Sequence, residues 1–95
     1  MILHVLMFKM RDPSPEHLAE CKARLDSLPP KIPEIKSYDV GIDVLHSGRS
    51  WDLVLVSTFD DLDALRAYQV NADHEAVAAF LRSGAEASAS VDAEI

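Results

Sequence analysis

An α+β sandwich built on an antiparallel sheet, in the order β-α-β-β-α-β, is the fold this sequence predicts. Three observations predict it. Ile2–Met10 and Trp51–Phe59 carry apolar residues on both alternating faces. Stretches after each of them repeat apolar residues every three or four positions, the helical period. The chain then closes on one more alternating segment, Ala87–Ile95. Its 95 residues suffice for one core, so residues 1–95 are expected to form a single domain.

Within Ile2–Met10, the residues Ile2, His4, Leu6, Phe8 and Met10 share one side. Leu3, Val5 and Met7 share the other, with Lys9 at its end. A strand with one wet face alternates apolar and polar residues, so this one should be covered on both sides. After the Arg11-Asp12-Pro13 turn, Ser14 offers a helix cap, Pro15 the first helical position and Glu16 an acidic first turn. Leu18, Cys21, Leu25 and Leu28 form the apolar stripe of this helix. Pro29-Pro30 ends it, since proline cannot continue the hydrogen-bond ladder. A connector with Ile32 and Ile35 as anchors leads to a second strand, Tyr38–Leu45, half-exposed, where Gly41 suggests a bulge or a close backbone approach.

Beyond the polar turn 46–50, the third strand sets Trp51, Leu53, Leu55, Ser57 and Phe59 against Asp52, Val54, Val56 and Thr58. Asp60 or Asp61 should cap a short helix through Leu62, Leu65 and Tyr68, broken at Val70-Asn71-Ala72. Asp73 is expected to cap the next helix, with His74 at its first position and Val77, Phe80, Leu81 and Gly84 along its apolar side. In the last strand Val91, Ala93 and Ile95 alternate with Ser90, Asp92 and Glu94. Antiparallel pairing with the helices on one face makes this a ferredoxin-like sandwich.

The other face of that sheet would meet water, yet Leu3, Val5, Met7, Val54 and Val56 point to it. Leaving them exposed forgoes on the order of 1.5–3 kcal/mol each. An isologous two-fold contact removes the exposure, so a homodimer through these residues is expected.

Composition narrows the partners. A net charge of −7 argues against nucleic acid and anionic membrane surfaces. No apolar run approaches the roughly 20 residues of a membrane helix. The opening lacks the character of a signal peptide, because His4 and Lys9 interrupt it. Cys21, the single cysteine, fits a reducing compartment, and a cytoplasmic location is expected. Its place on an apolar stripe makes it a packing residue.

Of the four histidines, His17 and His46 read as surface residues. His4 and His74 both point between sheet and helices, and Tyr68 belongs to the same side of its helix. Walled by Leu6, Phe8, Leu25, Leu53, Leu55, Val77 and Phe80, these three would make an apolar pocket with few polar groups. An imidazole at a helix N-terminus is disfavoured as a cation, so a neutral His74 could act as a general base, with Asp73 and Glu75 opposing that effect. The plainer alternative is that all three are core residues satisfied by local hydrogen bonds. No cysteine or carboxylate has the spacing to complete a metal site, so neither metal nor cofactor is expected.

Several segments in order carry a resemblance. H-V-L-M-F-K near the start, then L-P-P-K-I-P-E-I-K-S-Y-D-V-G, W-D-L-V-L-V-S-T-F and A-Y-Q-V-N-A-D-H-E-A-V-A-A-F-L are similar to the stress-responsive dimeric α/β-barrel (Dabb) family, over about residues 2–92. The resemblance implies a homodimeric α/β barrel with the helices outside. Members resembling it include plant stress-induced proteins and a plant polyketide cyclase that closes a ring by an aldol reaction without a cofactor. It implies His74 as base, Tyr68 as the group orienting the substrate oxygen, and His4 lining the same pocket. The family pattern Y-x-x-H-P-x-H is altered here, with Asn71 and Ala72 in place of its first histidine and proline. Polar pocket groups of the cyclase fall on Leu25 and Leu53.

Two functions follow as expectations. One is a cofactor-independent acid/base enzyme, catalysing aldol-type cyclisation or isomerisation of a small oxygenated, aromatic or polyketide-like compound. His74 and Tyr68 would be catalytic, and His4 with the apolar wall would bind substrate. The other is a non-catalytic dimer of stress response that binds a small apolar or aromatic ligand, or serves structurally.

Overall fold

A computed structural model describes residues 1–95. The elements are β1 (Ile2–Met10), α1 (Pro15–Asp26), a single 3-10 turn (Pro29–Lys31), β2 (Ser37–Ile42), β3 (Leu53–Phe59), α2 (Leu62–Val70), α3 (Ala72–Gly84) and β4 (Ala85–Glu94). The four strands form one sheet in the order β2-β3-β1-β4, and every neighbouring pair is antiparallel. This is the predicted ferredoxin-like α+β architecture.

β1 and β3, the strands with apolar residues on both sides, occupy the two central positions. On the helical side Ile2, Phe8 and Met10 of β1 and Leu53, Leu55 and Phe59 of β3 are buried. They divide between two clusters. Phe8, Met10, Leu53 and Leu55 pack with Leu18, Cys21 and Leu25 of α1 and Leu81 of α3. Ile2 and Phe59 pack with Leu28, Ile32, Leu65 and Tyr68. Cys21 is fully buried and free, as its position on the stripe of α1 implies.

The opposite face carries Met7 against Val54 and Val5 against Val56, and Val91 of β4 stands beside Val5. Met7, Val56 and Val91 are 39%, 36% and 66% exposed in the single chain, an apolar surface with nothing over it. The register adds Val91 to the patch anticipated from β1 and β3.

Boundaries differ from expectation where side chains bond their own backbone. β2 stops at Ile42 rather than continuing to Leu45, because the Asp43 carboxylate accepts from the His46 backbone N–H and turns the chain. Val44 and Leu45 are left exposed in this loop, and β3 begins at Leu53 instead of Trp51. Gly41 makes no bulge. It pairs with Val54, whose Cγ1 would sit 3.2 Å from an added Cβ, so the close-approach alternative is the one realised. β4 follows α3 without a linker, starting at Ala85.

Two caps matter for the site. Asp61 caps α2, accepting from the Ala64 N–H at 2.8 Å. The cap of α3 is Asn71 and not Asp73: its side-chain oxygen accepts from the N–H groups of Asp73 and His74. The helix therefore starts two residues earlier than expected, and His74 lies at its third position. His17 also departs from a simple surface role. It is half-buried, its ring 6.1 Å from that of Phe80 and its Nε2 against Gly84. His46 is exposed.

Candidate active site

The alternation of β1 turns His4 toward the helices, and the end of α2 and start of α3 bring Tyr68 and His74 over it. Tyr68 is the centre of the group. Its ring lies 4.2 Å from that of His74, 5.0 Å from Phe59 and 6.4 Å from His4, centroid to centroid. A trough of about 230 Å³ opens beside these rings, lined by His4, Leu6, Phe8, Tyr68, His74 and Ala78, with Gln69, Arg82, Ser88, Ser90 and Asp92 completing its rim.

Each of the three predicted polar groups has a specific partner. His4 is buried, and its Nδ1 bonds the carboxylate of Asp92, the residue opposite it in the β1–β4 ladder. His74 donates from Nδ1 to the backbone carbonyl of Gln69 at 3.1 Å. That bond assigns the proton to Nδ1 and leaves the Nε2 lone pair available. Burial pushes the His74 pKa below its ordinary value. His4 and Arg82 act in the same direction, while the Gln69 carbonyl and Glu75 oppose it. The neutral ring expected at this position is thus favoured, with desolvation as the main cause.

Tyr68 is 1% exposed, and its hydroxyl meets that of Tyr38 at 2.9 Å. Burial raises the pKa of both phenols, so both keep their protons at neutral pH. Either hydroxyl can be the donor of this bond. With Tyr38 donating, the Tyr68 proton stays free for a further acceptor.

The predicted wall divides. Leu6 and Phe8 line the trough with the three polar residues. Leu25, Leu53 and Leu55 do not reach it: Leu25 of α1 is buried in the core with Leu53 and Leu55 of β3. Val77 and Phe80 pack against that same core, and Arg24 stacks on the Phe80 ring at 3.8 Å. These five share the inner layer with His4, but α1 covers their part of the sheet whereas the β4 side stays open. Larger clefts of about 400 and 470 Å³ lie around the 43–52 loop, and neither contains the His4, Tyr68 and His74 group.

Asp92, Arg82, Ser88 and Ser90 escaped sequence reasoning. The signals were present. Ser88, Ser90 and Asp92 recur every second residue, and Arg82 lies eight residues after His74 on one helical face. No group of three or more His, Cys, Asp or Glu side chains converges in a metal-holding arrangement. No helix is long and apolar enough to cross a membrane.

Comparison with known proteins places the chain. The family model described as the stress responsive A/B barrel domain, Dabb, matches residues 2–95. The chain belongs to the Dabb family. A dimeric protein of unknown function with a ferredoxin-like fold from Bacteroides fragilis is 31% identical, with a TM-score of 0.86 over 99% of this chain and 95% of that one. A dimeric ferredoxin-like protein from Thermobifida fusca is 29% identical, with a TM-score of 0.89 over 99% and 90%. The hydroxynitrile lyase of Passiflora edulis shares the fold at 15% identity, with a TM-score of 0.86 over 99% and 92%. No curated protein matches this sequence. As a Dabb protein the chain shares the ferredoxin-like fold of these dimeric neighbours.

Proposed function

We propose that this Dabb protein is a homodimeric, cofactor-independent acid/base enzyme acting on a small oxygenated, largely apolar or aromatic carbonyl compound. The observation that carries the reading is His74: a desolvated imidazole with its Nδ1 proton held by Gln69 and its other nitrogen free beside Tyr68. In the reaction Nε2 takes a proton from the carbon next to the carbonyl. The electron pair of the broken C–H bond moves to the carbonyl oxygen, which the Tyr68 hydroxyl receives as a hydrogen-bond donor. Returning the proton to a different carbon isomerises the substrate, and attack of the enolate on a second carbonyl closes a ring. His4, oriented by Asp92, positions the substrate. The apolar sheet face is the dimer contact, in keeping with the dimeric relatives.

A second reading, a non-catalytic ligand-binding dimer, draws on the Tyr38–Tyr68 bond, because two buried phenols that satisfy one another also serve as a strut. Deuterium exchange separates the two. Incubated with 2-indanone in D2O, the wild-type protein should accelerate loss of the α-proton NMR signal. His74→Ala should slow that exchange by about 10²-fold or more while keeping affinity for the ketone. Binding without any acceleration by the wild type supports the second reading and overturns the first.

A further inference from the structure

We infer that Arg82 is an anion-recognising residue of this trough, which accepts a compound whose carboxylate lies against Arg82 while its other end lies between His74 and Tyr68. The inference rests on reading the trough as a binding site and adds the charge of the ligand. His74, Ala78 and Arg82 follow one another at intervals of four, along one face of α3, and all three line the cavity. At 1.5 Å per residue the two ends of this row are about 12 Å apart at the Cα atoms. Ala78, between them, keeps the middle of the row low.

β4 runs back beside α3 and presents Ser88, Ser90 and Asp92 to the same space, opposite Phe8, Leu6 and His4 of β1. The trough therefore has two unlike ends. At one end His4, Asp92, Tyr68 and His74 gather, and at the other lie Arg82 and Ser88 with the Phe8 ring. The Asp92 carboxylate is taken by His4. Arg82, like Arg11 and Arg49, takes part in no ion pair, whereas Arg24 and Arg66 hold Glu20 and Asp63, and of the unpaired arginines Arg82 alone lines the trough. In a chain of net charge −7, a guanidinium without a carboxylate beside a cavity is a ready partner for an anion. Its planar fork matches a carboxylate with two parallel hydrogen bonds. Arg82 also stands in the last turn of α3, where any cation suits the helix dipole. That role would be served equally by lysine and would not discriminate between ligands.

The test compares 3-phenylpropanoate with 3-phenylpropanamide, which share a skeleton and differ in charge. Affinities are measured by calorimetry on the full chain for wild type, Arg82→Gln, Arg82→Lys and Arg66→Gln, each checked for folding by circular dichroism. The wild type should bind the acid at least tenfold more tightly than the amide. Arg82→Gln should bring the two within twofold by weakening the acid alone, Arg82→Lys should keep part of the preference, and Arg66→Gln, which removes the same charge outside the trough, should keep all of it. Equal affinities in the wild type, or a preference that survives Arg82→Gln, overturn the assignment. A carboxylate preference without deuterium exchange would leave Arg82 as assigned while removing the catalytic reading. Failure of both compounds to bind at millimolar concentration would overturn the assignment of Arg82, and the exchange of 2-indanone would then decide the catalytic reading by itself.

Discussion

His4 and Asp92, 88 residues apart in sequence, are joined side chain to side chain across the β1–β4 ladder. The bond ties the first strand of the sheet to the last and orients the only imidazole in the core. β4 is otherwise weakly anchored, since most of its residues are exposed. Its attachment rests on backbone pairing, on this contact and on the surface ion pair of Glu94 with the N-terminus.

Removing the carboxylate should therefore loosen the edge of the sheet. Asp92→Ala is expected to lower unfolding free energy by about 1–2 kcal/mol, since it leaves the buried His4 nitrogen without its partner. Asp92→Asn keeps an acceptor oxygen and should lose less. Urea denaturation reads both, and amide exchange across β4 should quicken in the alanine variant.

The tyrosine pair is open to a double-mutant cycle. Tyr38→Phe and Tyr68→Phe each strand one buried hydroxyl, while the double variant strands none. The coupling energy should be about 0.5–1.5 kcal/mol, with the double variant less destabilised than the two single effects summed. If Tyr38 is the donor, Tyr38→Phe should also slow exchange of 2-indanone, because the Tyr68 hydroxyl loses the bond that orients it.

His74 makes a pH-dependent contribution of known sign. Burial, the first of its causes, depresses the folded-state pKa below 6.5. As pH falls through about 6.5, the unfolded chain binds a proton that the folded chain still refuses, and stability declines until the folded pKa is reached. Unfolding free energies at pH 7.5, 6.5 and 5.5 should fall more steeply for wild type than for His74→Asn. The proposed activity should for the same reason persist below pH 6.5 before its acid limb sets in.

The bare sheet face predicts the response to charge. Met7→Glu or Val56→Lys alters a residue already in contact with water in the lone chain, so folding of the protomer should change by less than about 0.5 kcal/mol. In the proposed homodimer the same change buries a charge without a partner, and sedimentation should show monomers at micromolar concentration. A variant that stays dimeric would move the interface elsewhere.

Asn71 offers a check on how His74 is set. Asn71→Ala removes the side-chain acceptor of the Asp73 and His74 N–H groups and should cost about 1 kcal/mol in thermal or urea unfolding. Asp73→Ala, at the residue expected from sequence to be the cap, should cost markedly less.

Much of the fold was legible from periodicity, and the reason is local. Whether a residue faces the helices or the other side of its strand follows from counting by two, and the stripe of α1 follows from counting by three and four. So the central strands, the helical layer, the bare face and the convergence of His4, Tyr68 and His74 were all determined by the sequence alone. Periodicity assigns a side, however, and not the neighbour found there. That Leu53 and Leu55 pack against Leu25 of α1 while Leu6 and Phe8 line an open trough depends on where each helix crosses the sheet. Asp92 meeting His4 depends on the β1–β4 register, Tyr38 meeting Tyr68 on where α2 is set above the sheet, and the proton on His74 on a carbonyl five residues back across a helix junction. These pairings arise between elements that no local pattern connects, so only the folded chain could decide them.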